Sequence, residues 1–427
     1  MTSQPEKSLQ PRSLIAYGFL ALPIAFAGFP LYILAPDFYA VHYNISLTSL
    51  AGILLFLRLC DAVQDPLFGY LADRYRTQTR SIVISAGLIL SVAFLSVFNP
   101  ISEPLIWFAC TMFLAMSCYS LLSILLGSSG ALWSSDPAHQ TFIASIRESF
   151  GLIGLIIAVT LPSVFNAFTD VQSAYLGLWI ILTVFLTGGI LSFYRWHKKN
   201  IVVTSQQSYS LKDLLTGLRQ ASKKFLWVYA ISMFASSIPA VLVIFYVRDL
   251  LDAEAYLGLF LLLYFVSGAV FMSLWRRLAL KYGKYQIWCA SMLLAIISFI
   301  GAFFLGTGDI LFYAIVCILS GAALGADLMI PPALLGEDMH NKGQTDHMAA
   351  HYALLAFFTK GALAFASIFA LPAIEYFGFV PDYENSADAL FSLSVTYALI
   401  PCVLKALSAF LLYKNFLLSS VTLRGNL

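Results

Sequence analysis

The sequence predicts an all-α integral membrane protein of twelve membrane-spanning helices, arranged as two halves of six. The first observation is composition: 60% of the 427 residues are hydrophobic and only 11% are charged, whereas soluble domains carry about 25% charged residues. The second is the recurrence, from end to end, of apolar segments of about 20 residues, a length that crosses a bilayer. The third is the placement of charge in the breaks between these segments.

Twelve apolar segments follow one another with short polar breaks between them. Their approximate limits are 13–40, 46–72, 81–99, 103–130, 140–166, 174–195, 223–248, 255–280, 285–305, 309–335, 347–376 and 389–414. The longest polar stretch is basic and separates the sixth segment from the seventh. We therefore expect a six-helix half at 1–195, a basic cytoplasmic linker at 196–222 and a second six-helix half at 223–427, the layout of a carrier built from repeats.

The charges of the breaks alternate in sign along the chain. Among the even-numbered breaks, the second, sixth and eighth are basic. Their bases are Arg74, Arg76, Arg80, the cluster from Arg195 to Lys224, Arg276, Arg277, Lys281 and Lys284. The odd-numbered breaks hold, beside the single base Arg248, the acids Asp37, Glu103, Asp170, Asp249, Asp252, Glu254, Asp309, Asp382, Glu384 and Asp388. Because cytoplasmic loops are enriched in Lys and Arg, both termini are predicted to be cytoplasmic. We expect a monomer surrounded by lipid in the cytoplasmic (inner) membrane of a bacterium.

Several functional classes find no support in the sequence. The net charge of +2 argues against nucleic acid as a partner. The six cysteines lie inside apolar segments without metal or disulfide spacing, and a nucleotide-binding glycine loop is absent. Because no nucleophile–base pair or multi-histidine group suggests catalysis, we expect neither an enzyme nor a bound cofactor. His347 and His351 are four residues apart, and we interpret them as polar loop residues rather than metal ligands.

Ionisable residues fall inside several of the apolar segments, where a charge is costly unless it is paired or faces water. Among them are Arg58, Asp61 and Asp65 in the second segment, Asp327 in the tenth, Lys360 in the eleventh and Lys405 in the twelfth. Asp327 is interpreted either as a solute contact or as a helix-packing hydrogen bond. Lys405 is expected to reach the membrane surface or to pair with a nearby acid.

Asp61 and Asp65 are four residues apart and therefore lie on one face of a helix. Two neighbouring carboxylates repel each other, so a positive group must lie between them. The candidates are Na⁺, H⁺ and a side chain such as Lys360. The alternative is a purely structural group of ion pairs, made by the two acids with Arg58 and Lys360, which only holds helices together.

The second segment ends in a glycine followed by charged residues, Gly69-x3-Asp73-Arg74-x-Arg76. Glycine allows two helices to approach closely, and charges at a helix end can bind a neighbouring helix end and release it during a conformational change. We expect Gly69, Asp73, Arg74 and Arg76 to form a gate at the cytoplasmic end. This string also resembles the signature loop of the major facilitator superfamily.

The string from Arg58 to Gly69, Arg-Leu-Cys-Asp-Ala-Val-Gln-Asp-Pro-Leu-Phe-Gly, closely resembles a pattern of the glycoside–pentoside–hexuronide:cation symporter family. The melibiose carriers belong to this family within the major facilitator superfamily. Further matches run along nearly the whole chain and include Tyr17-Gly18-Phe19, Ile146-Arg147-Glu148, Gly325-Ala-Asp327 and Thr359-Lys360-Gly361.

The resemblance implies a twelve-helix major facilitator fold and cation-coupled symport of a sugar or glycoside by alternating access. It implies a cation site for Na⁺ or H⁺ at Asp61, Asp65 and Ser120, with Lys360 and Arg58 as charge partners. Solute contacts are expected at Arg147, Ser123, Asp327 and Tyr17, and Arg147, if unpaired, would favour an anionic solute. The melibiose carriers hold their sugar with two acids, and Ala25 and Ser123 stand at those positions here.

The resemblance therefore predicts the fold and the coupling chemistry of this chain better than it predicts the substrate. The alternatives are a carrier or exporter of a non-sugar solute, such as an organic acid, a lysolipid or a drug-like molecule, and a receptor derived from a transporter.

Overall fold

The computed structural model describes residues 9–43, 45, 47–166, 171–201, 222–381 and 383–418, and this part of the chain is helical without a β-strand. Within these ranges, the chain forms twelve long helices: α1 (Pro11–Tyr43), α2 (Leu47–Arg74), α3 (Thr79–Val97), α4 (Pro104–Ala131), α5 (Pro137–Asn166), α6 (Val171–Asn200), α7 (Lys223–Leu250), α8 (Leu257–Tyr282), α9 (Lys284–Phe303), α10 (Ile310–Asn341), α11 (Met348–Tyr376) and α12 (Ala387–Leu417). The predicted all-α membrane class is confirmed.

Within the described residues, eleven of these helices are long and apolar enough to cross a membrane. The twelfth is α2, which has 28 residues and carries Arg58, Asp61 and Asp65. It packs closely against α4 and α11, so we count it among the membrane helices. The predicted segments and the observed helices agree to within a few residues at most boundaries.

Local signals explain several helix boundaries. Pro104 and Pro137 begin α4 and α5, where the missing N–H of proline has no partner to lose. Ser386 caps α12 by accepting a hydrogen bond from the backbone N–H of Ala389. Gly283 separates α8 from α9 with a φ of 96°, which other residues rarely adopt.

The sixth helix is longer than predicted. It continues to Asn200, so the first residues of the expected linker are helical. The reason is packing, because Trp196 is buried and its ring contacts those of Tyr17, Trp133 and Phe193. The remainder of the predicted linker, 202–221, lies outside the described residues, and the division into two halves stays a prediction.

Among the described residues, α1, α7 and α12 contain π-helical turns. In α1 the turn spans Pro30–Leu34, and in α12 one turn spans Val395–Leu399. Such turns rotate the following side chains relative to a regular helix and are frequent at functional sites.

Two groups of helices are visible in the packing of buried apolar residues. One large cluster draws on α1 to α6 with two alanines of α11, and two further clusters lie mainly among α7 to α12. Hydrogen bonds and ion pairs of the described residues join these two groups in one half of the molecule. This half extends from the middle of α2 to the end of the molecule at which α2 ends and α11 begins. The charge pattern predicts this end to be cytoplasmic, and we call it the predicted cytoplasmic end.

Candidate functional site

Asp61 and Asp65 lie one turn apart on the buried face of α2. Their exposed fractions are 3% and 0%. Lys360 of α11 reaches them from the other group of helices, and its Nζ donates to Asp61 Oδ1 at 2.9 Å and to Asp65 Oδ1 at 2.8 Å. The structure therefore brings together the two acids and the lysine that the sequence singled out.

Ser120 of α4 completes this group. Its Oγ donates to Asp61 Oδ1 at 2.7 Å and accepts from Lys360 Nζ at 2.5 Å. Three helices, α2, α4 and α11, thus supply one compact polar cluster, which we call the carboxylate–lysine cluster: Asp61, Asp65, Ser120 and Lys360.

Two residues that the sequence reasoning missed also bind Asp61. Gln64 Nε2 donates to Oδ1 at 3.1 Å and Tyr32 OH donates to Oδ2 at 3.3 Å. Gln64 could have been found, since it lies three residues after Asp61 and thus near the same helix face. Tyr32 lies within the π-helical turn of α1, so no regular periodicity would have placed it there.

With both carboxylates ionised, the carboxylate–lysine cluster carries one negative charge in excess, because two carboxylates face one ammonium group. Arg58 is half-buried, and no acid of the described residues lies within 4.0 Å of it. The expected charge partnership with Arg58 is therefore not a direct ion pair.

One acceptor of the cluster remains unused. Asp65 Oδ2 is buried and has no hydrogen-bond partner in the described part of the chain. An unsatisfied buried acceptor costs about 1–3 kcal/mol, and more when it is charged. A site with one spare carboxylate oxygen and one excess negative charge has the chemistry to take up a proton or a small monovalent cation.

Residues of the predicted gate lie at the predicted cytoplasmic end. Asp73 accepts hydrogen bonds from the backbone N–H groups of Ala349 and Ala350 at 3.0 and 2.8 Å. These N–H groups lie in the first turn of α11, where the helix dipole favours a carboxylate. A Cβ placed on Gly69 would lie 2.6 Å from Ala353 Cβ, so this glycine permits the close approach of α2 and α11.

Two arginines of the predicted gate behave differently. Arg76 donates to the carbonyl oxygen of Thr345 at 3.1 Å and lies 3.5 Å from the carboxylate of Asp346, so it binds the segment that leads into α11. Arg74 donates to the hydroxyl of Tyr70, one turn earlier on its own helix. The structure thus places Gly69, Asp73 and Arg76 between the two groups of helices.

The expected solute contacts at Tyr17 and Ser123 find no support in the geometry. Tyr17 is fully buried, and its hydroxyl donates to the carbonyl oxygen of Leu126. Ser123 donates to the carbonyl oxygen of Tyr119 within its own helix. Both side chains satisfy backbone groups, which sequence periodicity does not reveal.

Arg147 is paired with an acid. The predicted preference for an anionic solute required an unpaired Arg147, and this condition is not met. Arg147 Nε donates to Glu148 Oε1 at 2.8 Å, and its guanidinium group lies 5.8 Å from the ring centre of Tyr352. The neighbouring glutamate was quoted in the sequence pattern, but its role as the partner of Arg147 was missed.

Asp327 and Lys405 form a second buried ion pair, with Nζ and Oδ2 2.5 Å apart. Asp327 Oδ1 also accepts from Trp288 Nε1 at 3.0 Å, and Lys405 donates to Ser232 and Ser236 at 2.9 Å each. Of the two interpretations of Asp327, the helix-packing one fits these contacts. Lys405 pairs with an acid rather than reaching the membrane surface.

The prediction that His351 is a polar loop residue is wrong. It lies in the first turn of α11 and is buried by helix packing, with its Nδ1 2.8 Å from the carbonyl oxygen of His347. Over the described residues, no three side chains of His, Cys, Asp and Glu lie together as a group that could hold a metal ion.

Comparisons with known proteins agree with this fold. The family described as "MFS/sugar transport protein", where MFS denotes the major facilitator superfamily, matches residues 14–418. A protein from Bacillus subtilis named "Uncharacterized symporter YnaJ" is 23% identical, and the match covers 96% of this chain and 92% of that protein.

Solved structures of similar fold come from transporters of several solutes. A bacterial homologue of the iron transporter ferroportin, in an outward-facing state, has a TM-score of 0.69 at 15% identity, with 95% of this chain and 99% of that chain covered. The fucose:proton symporter of E. coli has a TM-score of 0.63 at 12% identity, with 93% and 98% covered. The human organic anion transporter MFSD10 has a TM-score of 0.66 at 14% identity, with 95% and 100% covered. These likenesses concern the fold alone.

Proposed function

Since the chain belongs to the MFS/sugar transport protein family and is a membrane transporter, we propose that it couples the transport of a small neutral solute to a monovalent cation. The solute is a sugar or glycoside and the cation is Na⁺ or H⁺. The family description and the name of the relative from B. subtilis support transport of a sugar by symport. The close match from Arg58 to Gly69 supports a melibiose-carrier-like subfamily.

The observation that carries this proposal is the excess negative charge of the carboxylate–lysine cluster. One bound monovalent cation brings the charge of Asp61, Asp65 and Lys360 to zero. The spare oxygen of Asp65 and the Oγ of Ser120 offer the oxygen ligands that Na⁺ prefers, and either carboxylate offers a site for a proton. A stoichiometry of one cation for each solute follows from this charge balance.

The coupling step follows from the position of Lys360 on the opposite group of helices. In the absence of the cation, Lys360 Nζ neutralises one of the two carboxylates and ties α11 to α2. A cation that binds between Asp61 and Asp65 competes with Nζ for the same oxygens and weakens this tie. Because the ligand then binds one conformation better than the other, it shifts the population of the carrier.

The predicted cytoplasmic end supplies the second element of the cycle. The contacts of Asp73 with Ala349 and Ala350, and of Arg76 with Thr345, hold the two groups of helices together at that end. They must break for the carrier to open there. Alternating access then consists of the two groups rocking about a solute site near the membrane centre.

Transport of an organic anion or another non-sugar solute is the second candidate, since similar folds carry iron and organic anions. The pairing of Arg147 with Glu148 argues against an anion, because the guanidinium charge is already neutralised.

The test uses the purified full chain in proteoliposomes. Uptake of radiolabelled D-glucose, D-xylose, L-fucose and melibiose is measured with an imposed Na⁺ gradient, an imposed H⁺ gradient, and neither. We expect accumulation of at least one sugar above equilibrium with one gradient alone. Equilibration without accumulation under both gradients would contradict cation coupling.

A further inference from the structure

Arg147 and Glu148 form an ion pair of unusual geometry in α5. Two donors of Arg147, Nε and Nη2, bind the same oxygen, Glu148 Oε1. In the part of the chain that the structure describes, the other oxygen, Oε2, accepts no hydrogen bond. The Glu148 side chain remains 22% exposed, so this oxygen is open to a further donor.

The pair lies between the two groups of helices and not against lipid. The Arg147 guanidinium lies 5.8 Å from the ring centre of Tyr352 in α11, and a Cβ placed on Gly127 in α4 would lie 2.9 Å from Arg147 Nη1. The residue after the pair, Ser149, donates to the sulfur of Met272 in α8. Since α4 and α5 belong to one group of helices and α8 and α11 to the other, the pair borders both groups.

The residues around Glu148 are also connected to the carboxylate–lysine cluster. The charges of Asp61, Asp65 and Glu148 all act on the hydroxyl of Tyr119. Its ring packs edge-on against that of Tyr32, with the ring centres 6.2 Å apart. A molecule that binds Glu148 therefore lies one aromatic side chain away from the proposed cation site.

We propose that Glu148 Oε2 is the solute-binding acceptor and that it binds hydroxyl groups of a neutral, polyhydroxylated solute. This inference rests on the proposed function and specifies its solute site. A carboxylate that accepts a hydroxyl forms a charge-assisted hydrogen bond, which is stronger than a bond between neutral groups. Tyr119, which is partly exposed, supplies aromatic surface for the apolar face of a sugar ring.

The charge of the pair explains the preference for a neutral solute. Arg147 and Glu148 together carry no net charge, so the pair offers neither an unpaired cation to a carboxylate nor an unpaired anion to an ammonium group. Arg147 acts through Glu148 as a positioning residue, because its two bonds to Oε1 fix the orientation of the carboxylate.

The experiment compares wild type with Glu148→Gln for three solutes that share a ring: D-glucose, D-glucuronate and D-glucosamine. Each is tested as an inhibitor of the uptake of the sugar that accumulates best in proteoliposomes. In wild type we expect glucose to inhibit better than either charged analogue. Glu148→Gln should raise the KM of the transported sugar about 10- to 100-fold, since a hydrogen bond to a charged group is lost.

The same variant should also change specificity. Glu148→Gln leaves the Arg147 guanidinium without an ionised partner, so glucuronate should become the better inhibitor. A structural role for Glu148 would lower the amount of inserted protein but would not reverse this order. The cation concentration for half-maximal uptake should stay as in wild type.

Two further variants keep the test decisive. The double variant Arg147→Gln/Glu148→Gln has no unpaired buried charge, so it should insert even if Glu148→Gln does not, and its KM should also rise at least tenfold. Asp249→Asn breaks the similar adjacent pair of Arg248 and Asp249 at the end of α7, and it should leave the KM unchanged.

The failure of this inference is distinguishable from the failure of the proposed function. A wild-type chain that accumulates a sugar, together with inserted Glu148 variants of unchanged KM and unchanged specificity, would overturn the role of Glu148 alone. A wild-type chain that accumulates no sugar under either gradient would overturn both.

Discussion

Replacement of Lys360 by alanine should increase the affinity of the protein for its coupling cation. In the structure Nζ lies 2.9 and 2.8 Å from oxygens of Asp61 and Asp65. Because the lysine occupies the space between the two carboxylates, it competes with the cation. Its removal leaves two buried carboxylates with a net charge of −2 in place of −1.

The size of the effect follows from the geometry. Removal of one partner from a buried ion pair costs about 3–5 kcal/mol, since the remaining charge is left uncompensated. A cation that takes the place of Nζ recovers much of this loss. About 3 kcal/mol corresponds to about a 100-fold change in affinity, so the half-saturating cation concentration of Lys360→Ala should fall by about two orders of magnitude.

Thermal unfolding of the purified protein measures this affinity without transport. The unfolding temperature is followed while Na⁺ is titrated at fixed pH, and while pH is varied without Na⁺. Lys360→Ala should be less stable than wild type without the cation and should regain stability at low cation concentration. Its accumulation of solute should be impaired, because the cation is released too slowly.

The control is Lys405→Ala, which removes the lysine of the other buried pair. It leaves Asp327 uncompensated and should lower stability by a similar amount. Its cation dependence should match that of wild type. If Lys360→Ala showed the wild-type half-saturating concentration, or none at all, the competition between the lysine and the cation would be refuted.

Three further predictions concern the gate, the second ion pair and the topology. Gly69→Val should prevent closure at the predicted cytoplasmic end, because even a Cβ would lie 2.6 Å from Ala353 Cβ. The accessibility of engineered cysteines from that side should rise, and unchanged accessibility would argue against the gate. Asp327→Asn should lower the free energy of unfolding by about 3–5 kcal/mol, because it leaves Lys405 unpaired. The unfolding temperature should fall and the KM should stay unchanged, whereas a raised KM would favour a role of Asp327 as a solute contact. Gln206→Cys, outside the described residues, should resist labelling from outside intact cells, and strong labelling would overturn the predicted topology.

Much of the fold was predictable because membrane helices are recorded directly in the sequence. The segment lengths and the apolar composition predicted twelve helices, and only their ends differ, as in the extension of α6 to Asn200. That extension depends on the packing of Trp196 against the rings of Tyr17 in α1 and Trp133 in the turn after α4, which is information about neighbours that helix periodicity does not contain.

The proximity within the candidate site was also predictable in part. The rule that an intramembrane charge needs a partner predicted that Lys360 lies close to Asp61 and Asp65. The same rule did not identify the partner of Arg147, since Glu148 is its neighbour in sequence and such neighbours normally point to different sides of a helix. Tyr32 was missed because its position depends on the π-helical turn of α1.

Gradient-driven accumulation in Asp61→Asn and Asp65→Asn tests the central claim most directly. Each variant has a neutral cluster, with one carboxylate and one lysine, and should therefore have too little negative charge to bind a cation. The measurement is sugar accumulation per inserted molecule, with its dependence on Na⁺ and H⁺, in both variants and in the double variant Asp65→Asn/Lys360→Ala. The account predicts folded, inserted single variants that have lost accumulation. A purely structural group of ion pairs predicts instead that each single variant loses inserted protein or thermal stability, and that the double variant, in which one carboxylate and the lysine are neutralised together, regains part of it. Normal cation-coupled accumulation in both single variants would contradict the account.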